Sequence, residues 1–258
     1  MIDVIDVSHH FGLRPVLRHV NARFEPATIS AIMGPNGSGK STLMQIMAGL
    51  ISPVEGTVHV NEIQRRKTPE GELAIRKLVA YLPAEPWLPG RTPRTWMKEV
   101  GKLYDVSEER LMEHIPRLLA LFNLDEQADE YTHSLSTGQQ KKTSLATIFV
   151  TEAPVLLLDE PFAGGLDPSG AQALKRLLLH LRTEKKSTIV MSTPVPELVE
   201  ELADRIALLR DGQIIAFDTI EGLRKLAAID GNLDQIYERV AAPSAEIKIH
   251  QYFKEESR

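Results

Sequence analysis

A glycine-rich segment from Gly34 to Thr42 constrains the fold of this chain more than any other feature. It reads GPNGSGKST, with two glycines five positions apart that are followed by a lysine and two hydroxyl residues. Residues 28–33 before it have the apolar composition of a buried strand, and residues 41–49 after it have a helical pattern. The order strand, glycine loop, helix is the context that a phosphate-binding loop requires. The sequence therefore predicts an α/β protein that binds a nucleotide.

The residues of this loop have definable roles toward a nucleotide such as ATP. Glycines let backbone N–H groups turn inward around phosphates, and the N-terminus of the following helix favours negative charge. Lys40 is expected to reach the β- and γ-phosphates, and the Ser41 hydroxyl to bind Mg²⁺. The predicted nucleotide-binding residues of the loop are Gly34, Pro35, Asn36, Gly37, Ser38, Gly39, Lys40, Ser41 and Thr42.

Hydrophobic periodicity indicates strands that alternate with helices, which is typical of a largely parallel sheet covered on both faces. An Asp211-Gly212 pair between two apolar runs predicts a β-hairpin. The predicted strands are 2–8, 16–24, 28–33, 56–60, 78–82, 155–158, 188–192, 206–209 and 213–217. The predicted helices are 41–49, 93–104, 107–122, 138–149, 169–183 and 195–204.

Two acidic residues follow one of the buried strands. Val155 begins the run VLLLDEP, in which Asp159 and Glu160 stand where the strand ends. At that edge Asp159 can hold Mg²⁺ through water, and Glu160 can orient or deprotonate the water that attacks the γ-phosphate. Taken alone, the pattern is equally typical of a strand that runs into a solvated acidic turn. In a chain with a phosphate-binding loop, it predicts a catalytic carboxylate.

A third segment, LSTGQ, runs from Leu135 to Gln139 at the start of a predicted helix. Its serine has the ordinary properties of a helix N-cap. The free N–H groups at a helix start also attract phosphate, so a second anion site is an equally valid interpretation.

Together, GPNGSGKST, LSTGQ and LLLDEP resemble, in their order and spacing, the nucleotide-binding subunit of ABC transporters. The resemblance covers about residues 2–220 and implies a phosphate-loop NTPase core with a mixed sheet covered by helices. It further implies an antiparallel β subdomain at the N-terminus and an inserted α-helical subdomain at about 87–151. Residues 1–220 then form the ATP-binding cassette, and residues 221–258 a C-terminal helical extension and tail.

The resemblance also implies partners and further site residues. Two cassettes, identical or different, would pair head to tail around two ATP molecules, with Ser136, Gly138 and Gln139 contacting the ATP of the partner. Phe11 would stack on adenine. Integral membrane permease subunits would insert a short helix near Pro86, Trp87, Leu88 and Trp96. A short helix near the end of the chain favours export over import.

The sequence departs from the family at three positions. Ala84 stands where a glutamine or glutamate usually senses Mg²⁺ and the attacking water, and Pro194 replaces a histidine that contacts the γ-phosphate. Gly164 and Gly165 give a neighbouring loop one glycine more than usual. These changes are either tolerated or mark slow hydrolysis. A soluble or regulatory ABC-type ATPase with slow or no turnover is therefore the alternative to a transport ATPase.

Composition excludes several other classes of protein. The net charge of −5 and the 5% aromatic content argue against nucleic acid as a partner. The absence of cysteine excludes disulfides, thiolate metal sites and a cysteine nucleophile. No apolar run approaches the roughly 18 residues of a membrane span, and no signal peptide is evident. We therefore expect a cytoplasmic protein, bound peripherally at the inner face of the cell membrane.

Overall fold

A computed structural model of the chain describes residues 1–85 and 87–241. Ten strands are present in these ranges: β1 (Ile2–Phe11), β2 (Arg14–Phe24), β3 (Ile29–Met33), β4 (Glu55–Val60), β5 (Ile63–Gln64), β6 (Val79–Leu82), β7 (Val155–Asp159), β8 (Thr188–Ser192), β9 (Arg205–Arg210) and β10 (Gln213–Asp218). The helices of the same ranges are α1 (Lys40–Ala48), α2 (Pro69–Leu78), α3 (Pro93–Leu103), α4 (Glu108–Leu121), α5 (Thr137–Val150), α6 (Pro168–Thr183), α7 (Pro196–Leu202), α8 (Ile220–Ala227) and α9 (Leu233–Ala241).

The central sheet has six strands in the order β10-β9-β3-β8-β7-β6. All neighbours pair in parallel except β9 and β10, which form the antiparallel hairpin that Asp211-Gly212 predicts. Every residue of β3, β7 and β8 is buried, as expected for parallel strands with both faces covered. The carboxyl ends of these three strands therefore meet at one edge, and the loops after them lie side by side.

A second, antiparallel sheet has the order β2-β1-β4-β5. Its inner side chains, such as Ile2 and Phe24, share one apolar core with α1 and with one face of the central sheet. This sheet brings the β1–β2 turn to the start of α1, since Gly39 lies close to Leu17 of β2. The mixed central sheet, its helices and the antiparallel sheet confirm the predicted fold class.

The chain between β6 and β7 contains α3, α4 and α5, the region where the sequence predicts a helical insertion. Thr92, Ser107 and Ser136 cap these helices, each accepting a backbone N–H three residues on. The helices pack through apolar side chains, and the rings of Phe122 and Phe149 stack with centroids 6.2 Å apart. The insertion therefore has its own apolar contacts, which are continuous with the main core.

Four elements differ from the prediction or extend it. The sequence pattern missed β5 and α2, and α2 buries only Ile75 completely. The helices α8 and α9 contribute Leu223, Leu233 and Ile236 to the main core. Residues 242–258 of the predicted C-terminal tail lie outside the described residues. No helix in 1–85 or 87–241 is both long and apolar enough to cross a membrane.

Candidate functional site

The glycine loop connects β3 to α1 and is fixed by the hairpin β9–β10. A Cβ atom at Gly34 would lie 2.2 Å from the carbonyl oxygen of Leu209, so only glycine fits beside that strand. Gly39 has φ +107°, a left-handed conformation that glycine adopts without strain. The N–H of Gly212 donates to the carbonyl of Ser38 at 3.2 Å. The loop therefore has a fixed path, and α1 begins at its end with Lys40.

Lys40 lies in the centre of this loop. Its side chain is buried, and Nζ donates to the carbonyls of Gly34 (2.9 Å) and Pro35 (3.2 Å). Burial lowers the pKa of Lys40, while the carboxylates of Glu160 and Asp159 raise it. The ammonium group therefore has two neutral partners, which the phosphates of a nucleotide can replace with stronger, charge-assisted ones.

The acidic pair lies at the carboxyl edge of β7, as predicted. Asp159 is buried and pairs in register with Ser192 of the neighbouring strand β8. The Ser192 hydroxyl donates to Asp159 Oδ1 and accepts the backbone N–H of Glu160 at 3.0 Å. Sequence reasoning did not assign a role to Ser192. The sequence feature that could have revealed Ser192 is its position as a polar residue at the end of an otherwise apolar strand.

A second unassigned residue, Lys141 of α5, also contacts the acidic turn. Its Nζ donates to the carbonyl of Glu160 at 3.0 Å and to that of Ala84 at 3.4 Å. The side chain is buried, and burial lowers its pKa while Asp159 and Glu160 raise it. The sequence feature that could have revealed Lys141 is its position as a lysine on the buried side of a helix.

An open cleft of about 480 Å³ unites most of the predicted nucleotide site. Phe11, which is 55% exposed, and Glu160 both belong to its lining. The cleft is lined by Phe11, Arg14, Val16, Asn36, Gly37, Gly39, Lys40, Ser41, Thr42 and Glu160. Arg14 and Val16 were missed; they follow Phe11 in the same hairpin. Gly34, Pro35, Ser38 and Asp159 lie outside this lining.

The LSTGQ segment lies apart from the cleft, at the first turn of α5. Ser136 and Gln139 form a reciprocal capping box, with Ser136 N–H donating to Gln139 Oε1 at 2.8 Å and Gln139 N–H to Ser136 Oγ at 3.3 Å. This confirms the N-cap interpretation. A Cβ atom at Gly138 would lie 2.6 Å from the carbonyl of Gly165, so the glycine loop after β7 packs on this turn. Ser136 and Thr137 face solvent, which leaves the second anion interpretation open.

The family's usual polar side chains are missing around the acidic turn. Ala84 follows β6 and presents its carbonyl, not a side-chain amide, to Lys141. Glu85 is exposed, and Pro194 is an exposed residue two positions after the end of β8.

The residues proposed for Mg²⁺ have suitable chemistry. Ser41 offers a hydroxyl oxygen and Asp159 a carboxylate, the hard oxygen ligands that Mg²⁺ prefers. Among residues 1–85 and 87–241, no group of three or more His, Cys, Asp or Glu side chains could hold a metal.

Of the residues predicted to receive a membrane subunit, Trp87 and Leu88 lie between β6 and α3, and Trp96 lies within α3. Trp87 is 77% exposed, an unusual position for a large aromatic side chain. Leu88 and Trp96 are half-buried, and Pro86 lies outside the described residues.

Comparison of the sequence with known proteins gives consistent matches. The family model described as ABC transporter matches residues 17–163. The ABC-type transporter ATP-binding protein EcsA of Bacillus subtilis (strain 168) is 29% identical over 92% of this chain and 95% of its own length. The SkfA peptide export ATP-binding protein SkfE of the same organism is 30% identical over 77% of this chain and 81% of its own length.

Solved structures show the same fold. One, described as the ATP-binding subunit of an ABC transporter, superposes with a TM-score of 0.87 at 27% identity, over 93% of this chain and 99% of its own. A second is a dimer of the ATP-binding cassette MJ0796 in a post-hydrolysis state with ADP and Pi. It superposes with a TM-score of 0.76 at 26% identity, over 85% of this chain and 99% of its own.

Proposed function

Because this chain belongs to the family of ABC transporter ATP-binding subunits, we propose that two cassettes close around two ATP molecules and drive export through separate membrane subunits. The chain is an ABC-type ATPase. Subunits of this family dimerise and act with membrane permeases. The identity of the second cassette, the direction of transport and the roles of individual residues belong to the proposal.

The observation that carries the proposal is the convergence of Lys40, Asp159 and Glu160 at one edge of the sheet. The loop around Lys40 and the turn at Glu160 share one cleft. Lys40 would neutralise the β- and γ-phosphates, and Phe11 would stack on the adenine at the far end. Glu160 would accept a proton from, or orient, the water that attacks the γ-phosphate.

Mg²⁺ would be held by the Ser41 hydroxyl and, through water, by Asp159. When bound, the ion neutralises charge on the β- and γ-phosphates during phosphoryl transfer. Ser192 donates to one oxygen of the Asp159 carboxylate and so fixes that side chain. The protein's own part is therefore to bind the phosphates, orient the carboxylates and place the water.

The exposed first turn of α5 supports the paired arrangement. Ser136 and Thr137 face solvent and are absent from the lining of the chain's own cleft. A second copy could therefore receive Ser136, Gly138 and Gln139 at its γ-phosphate. ATP would stabilise the closed pair because it binds that state preferentially, and hydrolysis would reopen it.

A substitution at Glu160 tests this arrangement directly. Glu160→Gln removes the base but keeps the shape of the side chain, so ATP remains intact and the pair stays closed. We expect the variant with ATP and Mg²⁺ to elute at twice the monomer mass in size-exclusion chromatography with light scattering, and to remain monomeric with ADP. A variant that stays monomeric at saturating ATP would contradict the paired mechanism.

The proposals of export and of membrane docking rest on similarity to a relative and on one exposed residue. The relative SkfE is named for peptide export, and Trp87 is an exposed anchor of the kind that interfaces favour. The chain would then act at the inner face of the membrane, held there by its permease. Reconstitution with a permease encoded beside it would test this, and ATP-dependent substrate movement toward the side with ATP would contradict export.

Ala84 and Pro194 favour a second candidate, a regulatory cassette that binds ATP and turns over slowly. Neither residue offers a side-chain donor or acceptor to water or phosphate. Steady-state phosphate release by the purified chain, with Glu160→Gln as the blank, separates the two candidates. Turnover above the blank supports a motor subunit, and tight binding without turnover supports the regulatory one.

A further inference from the structure

We propose that Lys141 is a positioning residue for ATP hydrolysis, which holds the main chain at Glu160 so that its carboxylate faces the attacking water. The inference rests on the proposed role of Glu160 as the base. Lys141 does not line the nucleotide cleft. It acts through the backbone of the acidic turn.

The conformation of Glu160 is the first observation. Its φ is +46°, in the left-handed region that residues other than glycine seldom adopt. Such a conformation persists only where the surroundings hold it. The N–H of Glu160 donates to Ser192 Oγ at 3.0 Å, and its carbonyl accepts from Ala163 N–H at 3.1 Å and from Lys141 Nζ at 3.0 Å. The peptide groups on both sides of the carboxylate are therefore fixed.

The burial of Lys141 is the second observation. The residue is 3% exposed, and its ammonium group donates to two backbone carbonyls, those of Glu160 and Ala84. A charged group in such a site is costly unless its donors are used and opposite charge is near. The carboxylates of Asp159 and Glu160 supply that charge and oppose the effect of burial on its pKa. These contacts require an ammonium ion at position 141. Packing alone would be satisfied by an apolar side chain.

The adjacent lysine shows that this contact is selective. Lys142 donates to the side chain of Asp167, at 2.7 Å, and so holds the loop that follows the acidic turn. The two neighbours on α5 therefore contact different segments, and of the two lysines it is Lys141 that contacts the segments after β6 and β7. Because the first turn of α5 is the LSTGQ segment, a displacement of that turn would be transmitted to Glu160 through Lys141.

The expected defect follows from these contacts. Without the ammonium group, the carbonyl of Glu160 keeps only its short-range partner Ala163, and the peptide can rotate away from positive φ. A displacement of about 1 Å in a catalytic group costs roughly 10²-fold in rate. Binding of ATP is expected to survive, since Lys40 and the glycine loop do not contact Lys141.

The test uses Lys141→Met, Lys141→Arg and the control Lys175→Met in the full chain. Lys175 is an ion-paired lysine on α6 that contacts Glu201, outside the cleft lining. We expect Lys141→Met to lower kcat about 10- to 100-fold. Its Kd for a fluorescent ATP analogue should change less than about 2-fold. Its unfolding temperature should be no lower than that of the wild type. Lys141→Arg should restore most of kcat because it keeps the cationic donor, and Lys175→Met should leave kcat unchanged.

Each outcome has a defined meaning. If Lys141→Met loses ATP binding, or if its unfolding temperature falls together with its kcat, the role of Lys141 is merely structural and the inference is overturned. Unchanged kcat in that variant, or a defect that arginine does not relieve, would overturn it as well. If the wild type shows no turnover above Glu160→Gln, the role of Glu160 as base fails and the inference falls with it. If the wild type hydrolyses ATP and Lys141→Met retains that turnover, only the proposed role of Lys141 fails.

Discussion

Pro194 stands two residues after the end of β8, the strand whose last residue, Ser192, hydrogen-bonds with both acidic residues. This places it at the carboxyl edge of the sheet beside the acidic turn. Proline has no side-chain donor and no backbone N–H. In the family that this chain resembles, a histidine contacts the γ-phosphate from this position. We therefore expect the chain to lack one donor toward the charge that develops during hydrolysis.

We expect Pro194→His to increase the rate of ATP hydrolysis. One correctly placed donor is worth about 10² to 10³ in rate, and an incompletely adapted site should recover roughly 10-fold. The measurement is kcat from phosphate release at saturating ATP. Pro194→Ala is the matched control, because it restores the same backbone N–H without an imidazole. Equal rates for the two variants would mean that the missing ring does not limit turnover.

The sequence predicted the residues of the site better than the bonds that orient them. Lys40, Asp159 and Glu160 belong to contiguous motifs, and their neighbours in sequence fix their positions. Ser192 and Lys141 reach the same turn from β8 and α5, 32 and 19 residues away in sequence. Such contacts depend on which strand lies beside β7 and on how the helix packs, and no local pattern contains that information.

At the scale of elements, α5 combines an observed helix cap with a proposed phosphate contact, and a substitution can separate the two. Its first turn is stabilised by the capping box of Ser136 and Gln139, and the same turn is the predicted contact for the partner's ATP. A substitution that keeps the cap but adds negative charge distinguishes these functions. Aspartate is such a residue, since it caps as well as serine and repels phosphate.

We expect Ser136→Asp to keep the unfolding temperature of the wild type and to abolish ATP-dependent pairing in the Glu160→Gln background. Ser136→Ala should instead lower the unfolding temperature by about 2–4 °C, the equivalent of about 1 kcal/mol from a lost cap. Differential scanning calorimetry and light scattering provide the two readouts. Persistent pairing in Ser136→Asp would show that the first turn of α5 does not face a phosphate.

Four of the six helices that the sequence predicted, namely α3, α4, α5 and α6, share two signals, a capping side chain and several buried positions. Helix α2 lacks the second signal, because Ile75 is its only fully buried residue and the remaining positions are polar or partly exposed. Its capping residue Thr68 and the proline at its start were the evidence present in the sequence. Strand β5 has two residues and is set by its pairing with β4, so periodicity cannot reveal it.

At the scale of the whole molecule, we propose that a complete site needs two copies of the chain. The cleft holds the glycine loop and Glu160, whereas the exposed turn at Ser136 lies outside it. In a symmetric pair, each cleft would receive the α5 turn of the other copy, because a two-fold axis makes both contacts equivalent. Each composite site would then combine Lys40 of one chain with Ser136 of the other.

This arrangement predicts that two inactive variants restore activity when mixed. Lys40→Ala loses the charged phosphate contact and Ser136→Asp repels the partner's phosphate, so each alone has two defective sites. In a mixed pair, one site contains both defects and the other contains neither. Half of randomly formed pairs are mixed, so the mixture should recover up to about one quarter of wild-type turnover.

The control is the double variant Lys40→Ala/Ser136→Asp mixed with the wild type, in which every mixed pair has one defect in each site. That mixture should show only the turnover of its wild-type pairs, also about one quarter for equal amounts. Titration separates the two cases. Excess double variant suppresses the turnover of a fixed amount of wild type, whereas excess of one single variant raises the turnover of a fixed amount of the other to a plateau, because every chain of the limiting variant then lies in a mixed pair. If the two single variants show no recovery although the wild type is active, the functional unit is not a symmetric pair of this chain, and the complementary α5 turn belongs to a different cassette.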